Sequence, residues 1–380
     1  MERVEKERGD LLLVTLLAVT LGVGISLLFS SSYPFSSRAY QDPFYLVKKQ
    51  LVWVAIGGVA AFVASRTPLE VFRRAMPLIL GGTLLFALLP FLPGLGVKVL
   101  GSRRWISLFG LSLQPSELVK VTLILYLASY FARRAECRQE RPEEGEGGVW
   151  HVELNALIPP FIVTCGFAAI ILLQNDYSTA IFLLVMGLAM LFVARVRMLH
   201  FLLVTLLSVP LGILLLFTRA HRVLRLLAFL DISAYSEGSA YQIVNAKAAL
   251  SAGGFWGRGL GRSAAKMGPL PMSHSDFIYA IIGEETGFLG ALFVLALFAL
   301  IAWRGFQIAF RSPDPFSRSI AFGVTTAICL QALLNMAVAA GLVPTTGVTL
   351  PFFSAGGSSL FVTMLMCGLL VNLSRRIPRV

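Results

Sequence analysis

Long apolar runs separated by short polar segments dominate the 380-residue chain. A helix needs about 20 predominantly apolar residues to cross a bilayer. Ten runs meet that length, at 11–31, 46–65, 71–92, 113–132, 154–173, 178–195, 198–218, 277–302, 317–342 and 353–374. The first, Leu11 to Ser30, is too long for a signal-peptide core and lacks a small-x-small cleavage site, so it is expected to remain as a span. An even number of spans places both termini on one side, and the basic residues say which. With the termini inside, 18 lysines and arginines fall on inner segments and 13 on outer ones. Seven of the outer ones lie in a single loop of more than fifty residues, and such loops weigh little in the orientation rule. The pattern predicts an all-α integral membrane protein of about ten transmembrane helices, both termini cytoplasmic. A large extracytoplasmic loop, about 219–276, separates the seventh and eighth helices.

Composition narrows the class further. The chain is 57% hydrophobic and 14% charged, with a mean hydropathy of +0.79, which excludes an ordinary soluble domain. The net charge of +12 points to membrane lipid headgroups and not to nucleic acid. Cys137 falls in a cytoplasmic loop and Cys165, Cys329 and Cys367 in spans, so neither a disulfide nor a cysteine metal site is expected. The acidic stretch from Glu136 to Gly148 reads as a solvated hinge between the first four spans and the last six. No strong internal repeat and no interrupted midplane helix stands out, which weighs against an inverted-repeat transporter. Residues 1–380 read as one polytopic domain.

Polar groups where lipid or protein interior is expected are the candidate chemistry. Arg103 and Arg104, followed by Trp105, suit an interfacial anchor or an outer binding site. Glu117 and Lys120 lie three apart on one helix face inside the fourth span, as a functional pair or a structural salt bridge. Asp176, in the tight turn before the sixth span, would cap that helix or face Arg104 across an outer vestibule. Arg219, His221, Arg222 and Arg225, interleaved with leucines, read as an amphipathic helix resting on lipid headgroups. Arg258, Arg262 and Lys266 are spaced four apart in a glycine-rich stretch that leads to His274-Ser275-Asp276. Ser275 or Asp276 would cap the eighth helix, or Asp276 would do chemistry. Glu284 and Glu285 follow inside the span and need partners, for which Lys120 and Lys266 are available. The uncharged stretch Val343–Phe352 with Ser354–Ser359 reads as the wall of a cavity, with helix-packing glycines as the alternative for Gly356 and Gly357.

Taken in order, Gly101-Ser102-Arg103-Arg104-Trp105, Gln114-Pro115-Ser116-Glu117-Leu118-Val119-Lys120, the Asp176 turn, the 251–290 stretch and the Val343–Ser359 stretch resemble the SEDS family of FtsW and RodA proteins. The likeness covers nearly all the spans. It implies a peptidoglycan glycosyltransferase, a hexosyltransferase that polymerises lipid II outside the bacterial cytoplasmic membrane. Its partners would be lipid II, undecaprenyl-pyrophosphate-linked glycan and a class B penicillin-binding protein. The family's essential carboxylate, in its H-T-D-F motif, falls on Asp276, with His274 and Ser275 beside it, and its basic positions near the fourth span fall on Arg104 and Lys120. Lys266 and Pro344-Thr345-Thr346-Gly347 lean towards the FtsW form. Ser275 for threonine, Met272-Ser273 for a glutamate-containing pair, Asn175 for proline and Ala355 for tyrosine depart from the family pattern without removing a charged site residue.

The residues suit that chemistry. A sugar 4-hydroxyl loses a proton as it attacks an anomeric carbon, and a carboxylate is a suitable base. The departing lipid pyrophosphate carries charge that arginine and lysine stabilise. Asp276 is the expected catalytic residue. Arg103, Arg104, Glu117, Lys120, Asp176, Lys266, His274 and Ser275 are expected to bind substrate. No metal site is expected, although a divalent cation, Mg or Mn, held by Asp276 on the pyrophosphate is an alternative to the base role. A lipid II flippase, with Glu117 and Lys120 as a headgroup track, is the competing function.

Overall fold

The structure, a computed structural model, describes residues 10–99, 102–108, 110–139, 154–194, 196–217, 219–231 and 239–377. Each apolar run folds as helix. The first two are α1 (Leu11–Tyr40) and α2 (Tyr45–Arg66), and the third is split into α3 (Leu69–Arg74) and α4 (Met76–Leu88). Then come α5 (Pro115–Gln139), α6 (Ile158–Leu173), α7 (Tyr177–Val193) and α8 (Met198–Leu216). The segment between the seventh and eighth apolar runs contributes α9 (Ala220–Leu230) and α10 (Ser239–Gly253), and the chain closes with α11 (Ile278–Arg311), α12 (Pro315–Ala339) and α13 (Gly357–Ser374). Among the described residues, α1, α2, Asn155–Leu173, α11, α12 and α13 are long and apolar enough to cross a membrane, and the chain is a multi-pass membrane protein. The 140–148 part of the acidic stretch lies outside the described residues, while Glu136–Gln139 continue α5.

Burial ranks the helices. α12 and α13 bury 61% and 67% of their apolar windows, against 22% and 17% for α1 and α2, so α12 and α13 form the centre and α1 and α2 face lipid. α12 packs on α5, α7, α11 and α13. Its start is fixed by the Asp314 carboxylate, which accepts from Ser317 N at 2.8 Å, and by Pro315 at the first helical position. α2 and α13 approach closely at Gly368, where a Cβ would lie 2.3 Å from the Ala61 carbonyl oxygen.

The structure corrects the sequence reading at three places. The first concerns the all-α expectation: β1 (Gly96–Val99), β2 (Ser102–Leu108) and β3 (Leu111–Leu113) form an antiparallel sheet in that order, pairing Ile106 with both Gly96 and Leu113. The strands are too short, and their alternation too brief, to stand out beside runs of twenty apolar residues. The second is that α1 runs on to Tyr40 instead of ending at 31, because Ser31, Ser32 and Ser36 are buried against the rest of the chain.

The third is that α11 is broken. Gly287 has φ 69° and ψ −168°, a conformation open in practice only to glycine. The freed backbone groups are taken up by the preceding loop. Glu284 O and Glu285 O accept from Arg258 N (3.0 Å) and Gly259 N (2.9 Å), while Phe288 N and Leu289 N donate to Gly254 O (2.9 Å) and Phe255 O (3.4 Å). Main-chain groups of the loop thus complete this break.

Polar contacts sort to the two ends of the bundle. At one end Arg304 pairs with Asp10, Arg376 with Glu70 at 3.6 Å and Arg73 with Glu136, and Asp10 N donates to Ser374 Oγ. At the other, Lys266 reaches Ser30 and Glu285, and Arg38 donates to Met267 O at 2.6 Å.

Candidate active site

A cavity of about 1100 Å³ opens where α7, α9, α12, the sheet and the loops 272–277 and 344–348 meet. Its lining divides by polarity. Arg104, Asp176, Arg219, Arg222, Arg225, Gln242 and Asp276 supply the polar part, and Ile181, Phe182, Val185, Leu330 and Leu334 supply an apolar floor between α7 and α12.

Each polar side chain is placed by a local cause. Alternation along β2 leaves Arg103 exposed while half-buried Arg104 joins the cavity lining. Asp176 does both things its position allows. One carboxylate oxygen caps α7 at Thr179 N (3.2 Å) and lies 3.8 Å from Arg104 Nη1, and the other accepts from Gln114 Nε2 at 2.8 Å. Arg219, Arg222 and Arg225 recur every three residues at the start and along one face of α9. That face turns to the cavity, with Arg222 stacked over the Tyr177 ring at 5.2 Å, and this corrects the reading of these arginines as headgroup anchors.

Asp276 does not cap α11. The cap position is Phe277, with no side-chain capping bond, and Ser275 Oγ donates to Met272 O at 3.4 Å. The capping reading of both residues therefore fails, and the Asp276 carboxyl belongs to the cavity wall. Burial raises its pKa above the ordinary carboxylate value, opposed by the neighbouring Ser275 hydroxyl and by the charges of Arg104 and Arg225. A carboxyl held proton-hungry among guanidinium groups is suited to taking a proton beside a developing anion.

The remaining sequence candidates are not in the cavity lining. Lys120 and Glu117 are buried beneath it, paired at 2.9 Å, with the ammonium also donating to Gln331 Oε1 at 2.7 Å. Lys266 pairs with Glu285, whose other oxygen accepts from Ser30. Glu284 accepts from Arg258 (3.0 Å), Ser263 Oγ and the amides of Ala264 (3.0 Å) and Ala265 (3.2 Å). Both intramembrane acids thus anchor the glycine-rich loop to α11. His274 stacks on Phe35 at 4.4 Å, and burial lowers its pKa to about 4, so near neutral pH it is an uncharged packing group. Gln331 and Asn335, missed from sequence, lie one turn apart on α12. Two neutral amides in an apolar helix were the available signal. Among the described residues no three His, Cys, Asp or Glu side chains gather as a metal site.

Comparison with known proteins places this arrangement. The chain is 37% identical over 379 residues to a probable peptidoglycan glycosyltransferase FtsW of Geobacter sp. (strain M18), covering 99% of each chain. It is 32% identical over 371 residues to stage V sporulation protein E of Bacillus subtilis (strain 168), covering 98% of each. Its fold matches a chain from a peptidoglycan synthase complex that coordinates polymerization and crosslinking, with a TM-score of 0.76 at 27% identity over 97% of this chain and 98% of that one. It also matches the rod shape determining protein RodA of Thermus thermophilus, with a TM-score of 0.68 at 26% identity over 98% of each. The family of FtsW, RodA and SpoVE, described as Cell cycle protein, matches residues 10–378, and the chain belongs to that family.

Proposed function

We propose that this chain is a peptidoglycan glycosyltransferase that polymerises lipid II at the outer face of the bacterial cytoplasmic membrane. The observation that carries the reading is the divided cavity: one carboxylate facing arginines above an apolar floor. A lipid-linked sugar diphosphate has the same division. Asp276 accepts the proton of the acceptor sugar hydroxyl as its oxygen bonds to the donor anomeric carbon. The bond from that carbon to the diphosphate breaks, and Arg104, Arg219, Arg222 and Arg225 take up the charge on the leaving group. The lipid tail follows the floor between α7 and α12. Attack opposite the leaving group inverts the centre, so no second carboxylate is needed as nucleophile. Asp176, with both oxygens already engaged, orients Arg104.

A magnesium or manganese ion fits the same donor set. Such ions are held by one or two carboxylates plus substrate phosphates, and Asp276 is the carboxylate here with free capacity. When bound, the ion would neutralise the diphosphate.

Ten spans with cytoplasmic termini complete the proposal. The Asp10–Arg304, Glu70–Arg376 and Arg73–Glu136 pairs bring together segments assigned to the inside, and the cavity is built from segments assigned to the outside. A class B penicillin-binding protein would supply the crosslinking activity. The flippase reading needs Glu117 and Lys120 open to a passage, but both are buried and bonded to each other and, through Lys120, to Gln331.

The test is gel analysis of products from labelled lipid II supplied to the purified chain, with and without its penicillin-binding partner. Glycan ladders are expected. Movement of label between leaflets with no polymer in either condition would replace this reading with the flippase.

A further inference from the structure

Three consecutive carbonyls at Asp276 are held from across the cavity entrance. His274 O accepts from Ala355 N (2.9 Å), Ser275 O from Ser354 Oγ (2.6 Å) and Asp276 O from Asn335 Nδ2 (2.9 Å). Asn335 is fully buried in α12, and its carboxamide nitrogen also donates to Val348 O at 2.8 Å. A carboxamide has two N–H groups. Both are spent on the main chains of the two loops that wall the cavity. Ser354 repeats the arrangement, donating to Ser275 O and accepting from Leu350 N at 2.8 Å. The second wall lies close to the carboxylate: a Cβ on Gly347 would be 3.6 Å from Asp276 Oδ2.

We propose that Asn335 and Ser354 are positioning residues for Asp276, fixing its main chain against the 344–350 wall so that the carboxylate meets the acceptor hydroxyl. Neither side chain lines the cavity, so each acts through Asp276 and not on substrate. Asp276 precedes α11 and has no helical backbone bond of its own to hold it in register. α12 supplies the fixed reference, being central in the bundle and capped at its start. A displacement of about 1 Å in a reacting group costs about 10²-fold in rate. The inference rests on the glycosyltransferase reading.

A second asparagine provides an internal control. Asn372, on α13, is buried and donates to two main-chain carbonyls at the end of α2, Ala64 O and Thr67 O, each at 2.7 Å, at the opposite end of the bundle. Asn335→Ala and Asn372→Ala remove the same two donors, so general destabilisation should be similar. Purified full-length variants are compared for lipid II polymerisation per folded molecule and for thermal unfolding midpoint. Asn335→Ala is expected to lower kcat about 10- to 100-fold with KM within about threefold, while Asn372→Ala keeps both within about threefold. If Asn335→Ala does not accumulate, Ser354→Ala is held to the same comparison, with a kcat loss of about tenfold expected. Equal turnover per folded molecule in the cavity-end and control variants overturns the positioning role alone. A wild type that never polymerises lipid II removes the functional reading and this inference together.

Discussion

Removing the ammonium of Lys120 strands the Glu117 carboxylate in the bundle interior and takes away the donor held by Gln331 Oε1. Breaking a buried ion pair from one side typically costs about 3–5 kcal/mol. Lys120→Ala is therefore expected to lower the thermal midpoint markedly, and with it the yield of active protein. Because Gln331 Nε2 in turn donates to Thr349 O (3.1 Å) and Ser359 Oγ (3.0 Å), the damage reaches the loop that walls the cavity. Lys120→Met combined with Glu117→Gln leaves no stranded charge and should recover most of the midpoint. A midpoint in Lys120→Ala equal to wild type, measured in the same detergent, would show that the pair does not hold this region. Which polar residues matter was legible in part at this scale. Asp276, Arg104 and Asp176 stood out as charges at the ends of apolar runs. Asn335 and Gln331 did not, since neutral amides leave no mark on a charge pattern. Lys120 and Lys266 did stand out, and the sequence offered both Glu117 for Lys120 and Glu284 or Glu285 for Lys266, but spacing alone does not say whether such a pair is structural or meets substrate.

Among the elements, the broken α11 and the loop docked on it decide how Asp276 is presented. A Cβ on Gly287 would lie 2.3 Å from Gly257 N and 2.5 Å from Phe255 O, both backbone atoms that cannot step aside without undocking the loop. Gly287→Ala should release residues 254–262 and raise the rate of tryptic cleavage after Arg258 and Arg262 by about tenfold or more. Gly22→Ala on α1, where a Cβ meets nothing within 4 Å, is the matched control and should leave cleavage unchanged. Equal cleavage in the two variants would count against the docking. The helices were readable as runs of apolar residues, because a lipid-facing helix must advertise itself over some twenty positions. The break was not, because Glu284 and Glu285 beside Gly287 read as buried acids in want of partners and not as a kink, and the compensating bonds come from about thirty residues upstream. The sheet was hidden for the opposite reason, its strands being short. The case of α9 is different again. Its amphipathicity was plain, but periodicity says only that one face is polar, not whether that face meets headgroups or a cavity.

For the whole molecule, the helices form a frame around one divided chamber. α12 stands at its centre, one end of the bundle is tied by arginine–carboxylate pairs, and the chamber lies towards the other. On this frame Asp276 is expected to tolerate substitution without loss of fold. Its side chain caps nothing, and the bonds that hold its position run through its carbonyl. Asp276→Asn therefore isolates the chemistry of the carboxylate. Asparagine keeps the shape and loses the ability to take a proton or carry charge to a metal ion, and losing general-base catalysis costs about 10²- to 10⁴-fold. The direct measurement is lipid II polymerisation by purified wild type and Asp276→Asn, matched for thermal midpoint and for binding of the penicillin-binding partner. The account predicts glycan ladders from wild type and none from Asp276→Asn at equal folding. Polymerisation by Asp276→Asn within about threefold of wild type, a difference of well under about 1 kcal/mol, would contradict it and move the search for the carboxylate to Asp176.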